Sequence, residues 1–219
     1  MSRLTFIRHG QANSSAKDEV SYDQLSPLGH QQAGWLGAHF AQTEDRFDRV
    51  YCGTLSRHLE TARGIFSTGE DNFVQDPRFN EMAYFTLAQL LYEQQGITVP
   101  DDRDGFCQHL PRMFTAWNNN EIANAPESFA SFESRVKAAL HDIAATGRSA
   151  MVVTSGGVIG MIMRLTMGLD LATMSRACLS ILNTSVHHCQ PLGPNLTMTQ
   201  FNGVPHLDTP ERAEAKTFL

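Results

Sequence analysis

The residues near the N-terminus that are best suited to chemistry are Arg8 and His9, which directly precede Gly10. They end an apolar run over residues 4–7, which predicts a buried strand. In open α/β sheets, ligands bind beyond the carboxyl ends of the strands, so we expect His9 to face such a crevice. Gly10 lets the backbone approach a ligand closely, and the Arg8 guanidinium suits phosphate or carboxylate oxygens. These three residues alone leave both a catalytic and a structural role open for the histidine.

Two more residues with reactive side chains follow predicted strands. Arg57 begins a predicted helix after the strand at 48–52, where the helix dipole and the unpaired backbone N–H groups favour an anion. A surface arginine is the alternative interpretation. Glu81 follows a weaker strand at 72–76 and could protonate a leaving group, although most glutamates in such positions are simply solvated.

The apolar strand at 150–154 leads into Ser155, and an apolar helix begins at Gly156. This strand therefore ends at the same edge of the predicted sheet. His187 and His188 are adjacent on a later predicted strand, so their side chains point to opposite faces and at most one can reach a common site. This geometry argues against metal binding by the pair.

Strand and helix patterns alternate along the chain, which predicts an α/β fold: a three-layer α/β/α sandwich with a mostly parallel central sheet. We expect a single domain over residues 1–219, with a helical cap insertion at about 82–127, a segment that fits neither alternating strands nor one long helix. The insertion carries six aromatic residues and only two positively charged ones, Arg103 and Arg112. Residues 211–219 are predicted to form a loosely held tail.

Composition narrows the classes of function. The formal net charge of −6 and the lack of a Lys/Arg run argue against a nucleic-acid partner, and no apolar stretch is long enough to span a membrane. The first strand begins so near Met1 that no secretory signal fits, so we expect a cytoplasmic protein. The four cysteines lack a paired spacing, which favours reduced thiols over disulfides or a zinc site.

The order of these motifs resembles the histidine phosphatase superfamily, also called the phosphoglycerate mutase-like family. The likeness covers nearly the whole chain and rests on Arg8-His9-Gly10-Gln11, Ser56-Arg57 with Thr61-Ala62, Glu81, and Val153-Thr154-Ser155-Gly156-Gly157. It implies that His9 is the nucleophile that takes up the phosphoryl group. It also implies that Arg8 and Arg57 hold the phosphoryl oxygens, and that Glu81 gives a proton to the leaving alcohol.

The expected phosphate-binding set also includes Gln11, Ser155 and Gly156. The resemblance implies no metal and no other cofactor, because the guanidinium groups can balance the charge that a metal ion balances elsewhere. The implied partner is a small phosphorylated substrate. The implied fold is the phosphoglycerate mutase-like sandwich.

The sequence departs from the family pattern at Ser155, where the family has a histidine directly before the glycine pair. Losing one well-placed donor to developing charge can cost about 10²- to 10³-fold in rate. Two repairs are open. The Ser155 hydroxyl and the helix N-terminus at Gly156 could stabilise the anion, or His187 or His188 could enter from a neighbouring strand.

Three functions therefore remain open at this point. The first is a metal-independent phosphomonoesterase that works through a phosphohistidine on a small phosphorylated metabolite. The second, suggested by Ser155, is a phosphate- or phosphoester-binding protein with weakened catalysis. The third is a phosphoglycerate mutase-type phosphotransferase, which needs extra cationic groups that the acidic insertion does not offer. We favour the phosphatase, with an aromatic or otherwise bulky, weakly charged phosphoester as substrate.

Overall fold

The computed structural model describes residues 3–66 and 73–218, and its central feature is a six-stranded sheet in the order β3-β2-β4-β1-β5-β6. The strands are β1 (Leu4–Arg8), β2 (Arg49–Cys52), β3 (Val74–Gln75), β4 (Ala150–Thr154), β5 (Val186–Leu192) and β6 (Asn195–Gly203). The helices are α1 (Glu19–Tyr22), α2 (Pro27–Gln42), α3 (Ser56–Phe66), α4 (Tyr84–Gln95), α5 (Arg103–Asn118), α6 (Phe129–Ala145), α7 (Gly156–Met167) and α8 (Leu171–Ser180). Three-residue 3₁₀ turns at 77–79 and 205–207 and a longer one at 210–215 complete the elements.

The sheet is mixed. Strands β3, β2, β4 and β1 pair in parallel, whereas β5 and β6 add on as antiparallel strands. Arg8 lies opposite Thr154 in the register of β1 and β4, so the carboxyl ends of these two central strands are neighbours. The predicted α/β sandwich is confirmed. Of the strand predicted at 72–76, only 74–75 form β3, and position 72 lies outside the described residues.

The two faces of the sheet carry separate hydrophobic cores because side chains alternate along a strand. Phe6 and Val152 pack on the side of α4 to α8. Ile7 and Val153 pack on the opposite side, against α2 and α3. All five residues of β1 and of β4 are buried, which gives the residues that follow these strands a rigid base.

The predicted insertion contains two helices, α4 and α5. With 16 residues, α5 is longer than the short helices that the sequence predicts. The Trp117 indole anchors it: the ring centroid lies 5.3 Å from that of Phe129, and Nε1 donates to the Glu127 carbonyl oxygen at 2.8 Å. The helices therefore share the core of one sheet face.

Residues 211–218 are not the loose tail that the sequence predicts over 211–219, and position 219 lies outside the described residues. Ala215 is buried, and its carbonyl oxygen accepts from Gln32 Nε2 at 2.7 Å. Thr217 Oγ1 donates to Asn183 Oδ1 at 2.9 Å. The prediction failed because the segment is held by polar partners far away in the sequence.

Across residues 3–66 and 73–218, no helix combines the length and hydrophobicity needed to cross a membrane.

Candidate active site

His9 sits just beyond β1, at the carboxyl ends of the two central strands. Its backbone N–H donates to the Thr154 carbonyl oxygen at 2.9 Å, which extends the pairing with β4. Gly10 then donates its backbone N–H to Thr61 Oγ1 at 3.0 Å. A Cβ at Gly10 would overlap the backbone of Gly29, so the glycine is required by close packing on α2.

The His9 imidazole is buried, with 2% of the residue exposed. Its Nδ1 lies 2.7 Å from the Gly10 carbonyl oxygen. Because a carbonyl can only accept, Nδ1 carries the proton and the lone pair lies on Nε2. Burial and the nearby Arg57 and Arg8 hold the pKa of His9 well below its usual value. The ring is therefore neutral and has a lone pair for nucleophilic attack.

Arg57 lies in the first turn of α3 and is 5% exposed. Its Nη1 donates to Asp23 Oδ1 at 2.9 Å, and its guanidinium carbon lies 5.1 Å from the Tyr22 ring centroid. Asp23 also accepts the backbone N–H groups of Ser56 and Arg57, at 2.9 and 3.2 Å. The Asp23 carboxylate therefore occupies the N-terminus of α3, a contact that sequence reasoning missed within a polar loop.

Arg8 is 8% exposed, and its Nη1 donates to the carbonyl oxygens of Ile181 and Phe218. Its Nε lies 3.8 Å from where a Cβ on Gly156 would stand, beside the N-terminus of α7. Among the described residues, neither Arg8 Nε nor Arg57 Nε has a hydrogen-bond partner, although both are buried. The two guanidinium groups therefore keep donors that an anion could use.

Glu81 follows the 3₁₀ turn at 77–79, which is tied to β4 by a 2.7 Å hydrogen bond from Thr154 Oγ1 to the Phe79 carbonyl oxygen. Its Oε2 accepts from the backbone N–H of Gly157 at 2.9 Å. A Cβ on Gly157 would collide with Oε1 of Glu81, so the glycine admits the carboxyl to the start of α7. Burial raises the pKa of Glu81, which favours the protonated acid.

Ser155 and Gln11 make contacts that the sequence did not indicate. Ser155 is 1% exposed, and its Oγ lies 2.7 Å from Nε2 of His58. Gln11 Oε1 accepts from Ser26 Oγ at 2.7 Å, so the amide nitrogen is the end of this side chain that could donate to an anion.

Neither histidine of β5 stands against Ser155. His187 uses both ring nitrogens within its own region, with Nε2 at 2.8 Å from Ser185 Oγ and Nδ1 accepting from the Asn202 backbone at 3.2 Å. Nδ1 of His188 lies 3.1 Å from Thr5 Oγ1. The imidazole beside Ser155 is His58.

Sequence reasoning missed His58, although a signal was present. Positions 58, 61, 62 and 65 form the buried face of α3, and this spacing is the apolar stripe of an amphipathic helix. A histidine on that stripe, directly after Arg57, marks a titratable side chain that points inward beside the expected site.

A cavity of about 250 Å³ adjoins the acid, lined by Glu81, Ala83, Leu87, Pro126 and Glu127. An aromatic path starts at His9: the ring centroids of His9 and Tyr22 are 6.2 Å apart, and those of Tyr22 and Phe85 are 5.7 Å apart. In the described ranges, no three His, Cys, Asp or Glu side chains are grouped so as to hold a metal ion.

The site thus sets a neutral imidazole, two guanidinium groups and a carboxylic acid at the carboxyl ends of parallel strands, which suits chemistry on a phosphoryl group. Residues 4–202 match the histidine phosphatase superfamily (branch 1), and the chain belongs to that superfamily. A comparison with curated proteins finds no match.

Solved structures share the phosphoglycerate mutase-like fold. A mutant phosphoserine phosphatase from Entamoeba histolytica, in complex with phosphoserine, has a TM-score of 0.70 and 20% identity, covering 94% of this chain and 100% of that one. Phosphoglycerate mutase from Bacillus anthracis has a TM-score of 0.68 and 18% identity, covering 99% and 97%. A mycobacterial glucosyl-3-phosphoglycerate phosphatase has a TM-score of 0.64 and 20% identity, covering 93% and 100%. Family membership and these neighbours support an enzyme of the phosphatase kind.

Proposed function

We propose that this protein is a metal-independent phosphomonoesterase that works through a phosphohistidine on His9. One observation carries the proposal: beside a buried imidazole whose lone pair lies on Nε2, the Nε groups of Arg8 and Arg57 are buried without partners among the described residues. Three equatorial phosphoryl oxygens would supply the acceptors that these donors lack.

In the first step, Nε2 of His9 attacks phosphorus and forms the N–P bond while the bond to the leaving oxygen breaks. Glu81 transfers its proton to that oxygen, so an alcohol leaves and a carboxylate remains. Arg8 and Arg57 balance the charge on the equatorial oxygens. The hydrogen bond from Nδ1 to the Gly10 carbonyl stabilises the positive charge that the ring acquires.

In the second step, the Glu81 carboxylate accepts a proton from water while the water oxygen attacks phosphorus. The N–P bond breaks, inorganic phosphate leaves, and His9 returns to its neutral form with Glu81 protonated again. One phosphomonoester and one water give one alcohol and one phosphate. No metal ion takes part, because the guanidinium groups hold the charge.

The cavity beside Glu81 favours a phosphatase over a mutase. Its lining contains two carboxyl side chains and no positively charged one. A mutase must hold a second phosphate, and the described lining supplies no cationic side chain to bind one. The neighbours include both phosphatases and a mutase, so the preference rests on the cavity itself.

The leaving group we infer is aromatic or otherwise bulky and weakly charged. The path of rings from His9 through Tyr22 to Phe85 offers stacking surface next to the phosphoryl position, and ring pairs at such distances are attractive. Substrates are therefore small phosphorylated metabolites whose alcohol carries an apolar or aromatic group.

The test is turnover of an aryl phosphate by the purified protein with excess chelator, compared with His9→Ala and with His141→Ala, an exposed histidine on α6. We expect the wild-type protein and the His141 variant to be equally active with chelator, and His9→Ala to be inactive. Acid-labile ³²P label on the quenched wild-type protein would report the phosphohistidine. Wild-type turnover no greater than that of His9→Ala, with phosphate still bound in calorimetry, would instead favour the binding protein with weakened catalysis.

A further inference from the structure

The hydroxyl of Ser155 is diverted from the helix that it precedes. Ser155 is the N-cap residue of α7, but its side chain makes no capping bond to α7. Ser26 and Ser128, at the same position of α2 and α6, each accept a backbone N–H from their own helix. The Ser155 Oγ lies instead 2.7 Å from Nε2 of His58 on α3.

His58 is fully buried in the first turn of α3, directly after Arg57. Its ring centroid lies 5.8 Å from that of His9. Gly53 makes room for it, since a Cβ at position 53 would overlap His58 Nδ1. A second imidazole is thus part of the wall around the nucleophile.

The hydrogen bond between the two side chains has a preferred direction. Nδ1 of His58 is buried and has no partner among the described residues. A proton there would be a buried N–H without an acceptor, which is rare in folded proteins. The proton therefore lies on Nε2 and is donated to Ser155 Oγ. A hydroxyl that accepts in this way keeps its own proton to donate elsewhere.

We propose that His58 and Ser155 form one unit that binds a phosphoryl oxygen, with Ser155 Oγ–H as the contacting donor and His58 as the positioning residue behind it. The inference rests on the proposed function for its effect on turnover, whereas its effect on anion binding is independent of turnover. It also accounts for a serine before the glycine pair at 156–157, because the imidazole approaches from α3 instead.

The experiment compares His58→Leu, His58→Gln, Ser155→Ala and the double variant His58→Leu/Ser155→Ala. For each, kcat and KM are measured with an aryl phosphate, and vanadate and phosphate affinities by calorimetry. The matched control is His187→Leu, because His187 is equally buried and its Nε2 lies 2.8 Å from the Ser185 hydroxyl. Thermal unfolding of every variant separates misfolding from a local effect.

We expect Ser155→Ala and His58→Leu each to lower kcat by about 10²-fold, with KM changing much less, since the donor acts on charge that develops in the transition state. His58→Gln keeps an N–H donor and should recover to within about tenfold of wild type. The double variant should lose little beyond Ser155→Ala, because groups that act as a unit are not additive. His187→Leu should keep wild-type kcat.

Any of three results would overturn the proposal that His58 and Ser155 act together. The first is a folded His58→Leu variant with wild-type kcat and vanadate affinity, and the second is an equal loss of kcat in His58→Leu and His187→Leu. The third is a loss of kcat in the double variant that equals the product of the two single losses. If the wild-type protein shows no turnover that depends on His9, the phosphomonoesterase proposal fails. Calorimetry with vanadate on the same variants then still decides whether His58 and Ser155 bind the anion together.

Discussion

Asp23 and Arg57 form an ion pair at the start of α3, with 2.9 Å between Oδ1 and Nη1. The Arg57 side chain is 6% exposed and that of Asp23 is 21% exposed, so the pair is largely shielded from water. Asp23 also caps α3 by accepting two backbone N–H groups. One carboxylate thus fixes both the helix start and the guanidinium, while Arg57 Nε has no hydrogen-bond partner in the described part of the chain.

Replacing Asp23 should therefore loosen Arg57. We expect Asp23→Ala to lower the free energy of unfolding by about 1–3 kcal/mol, since it removes a cap and leaves a buried charge unpaired. We expect Asp23→Asn, which keeps a capping oxygen, to be closer to wild type in stability but to bind vanadate about tenfold more weakly. Denaturant unfolding and calorimetry are the measurements. Asp18→Asn, at the exposed cap of α1, is the control, and an equal loss of vanadate binding there would contradict the prediction.

The rate should depend on pH with two limbs. In the proposed mechanism His9 must be neutral to attack, and because its pKa is lowered, activity should fall only as the pH drops through that lowered value. Glu81 must be protonated, and because burial raises its pKa, activity is lost as the pH rises through the raised value. We therefore expect a bell-shaped profile of kcat/KM against pH, because kcat/KM reports the ionisation of the free enzyme.

Glu81→Gln tests the alkaline limb, because glutamine has no acidic proton to transfer. We expect kcat to fall by about 10²- to 10⁴-fold, the usual contribution of a general acid, and the alkaline limb to vanish. A limb that comes from the second ionisation of the substrate phosphate, near pH 6, would persist in this variant. An unchanged profile would show that Glu81 is not the proton donor.

The space around His58 can be tested through a glycine. In Gly53→Ala, the new Cβ would overlap His58 Nδ1 and approach Asn80 Oδ1 to 2.6 Å. We expect a loss of about 1–3 kcal/mol of stability, typical of overpacking, and a fall in kcat as the imidazole moves from Ser155. Gly34→Ala on α2 is the control, because no neighbouring atom of residues 3–66 and 73–218 lies within 4 Å of its new Cβ. It should gain up to about 1 kcal/mol in helix stability and keep full activity.

The aromatic path predicts a preference among substrates. Phe85→Ala removes the ring 5.7 Å from that of Tyr22, and we expect KM for an aryl phosphate to rise by about 3- to 10-fold, as for the loss of an aromatic contact of about 0.5–1.5 kcal/mol. KM for a small alkyl phosphate should stay constant. Tyr92→Ala, an exposed aromatic residue on the same helix, is the control. A panel in which small polyanions are the best substrates would contradict the proposed leaving group.

The sequence was sufficient to predict the layers and the edge of the sheet at which the candidate site residues lie. The runs at 4–7 and 150–154 are apolar enough to be central strands, and they become β1 and β4, buried along their whole length. Arg8 ends β1, and His9, Arg57 and Glu81 follow strands. Parallel strands end at one edge of a sheet, so topology alone brings these residues near each other. A fold that depends on apolar runs and their alternation can be predicted from local pattern.

Contacts between distant residues could not be predicted in this way. His58 and Ser155 are separated by 97 positions, and Asp23 and Arg57 by 34. Hydrogen bonds of this kind have no periodicity, so nothing in the sequence pairs their partners. The hydrogen bonds from Gln32 to Ala215 and from Thr217 to Asn183, which fix the C-terminal segment, could not be predicted for the same reason.

The chain by itself therefore determined which side chains reach the reactive edge, because strand ends are fixed by hydrophobic burial and by the handedness of strand–helix connections. Only the tertiary structure decided which nitrogen of His9 keeps its lone pair, which carboxylate faces Arg57, and that the imidazole beside Ser155 comes from α3 rather than from β5. Such choices depend on differences of a few tenths of an ångström in the distance between groups on separate elements. Those distances are set only once the cores on both sides of the sheet have packed.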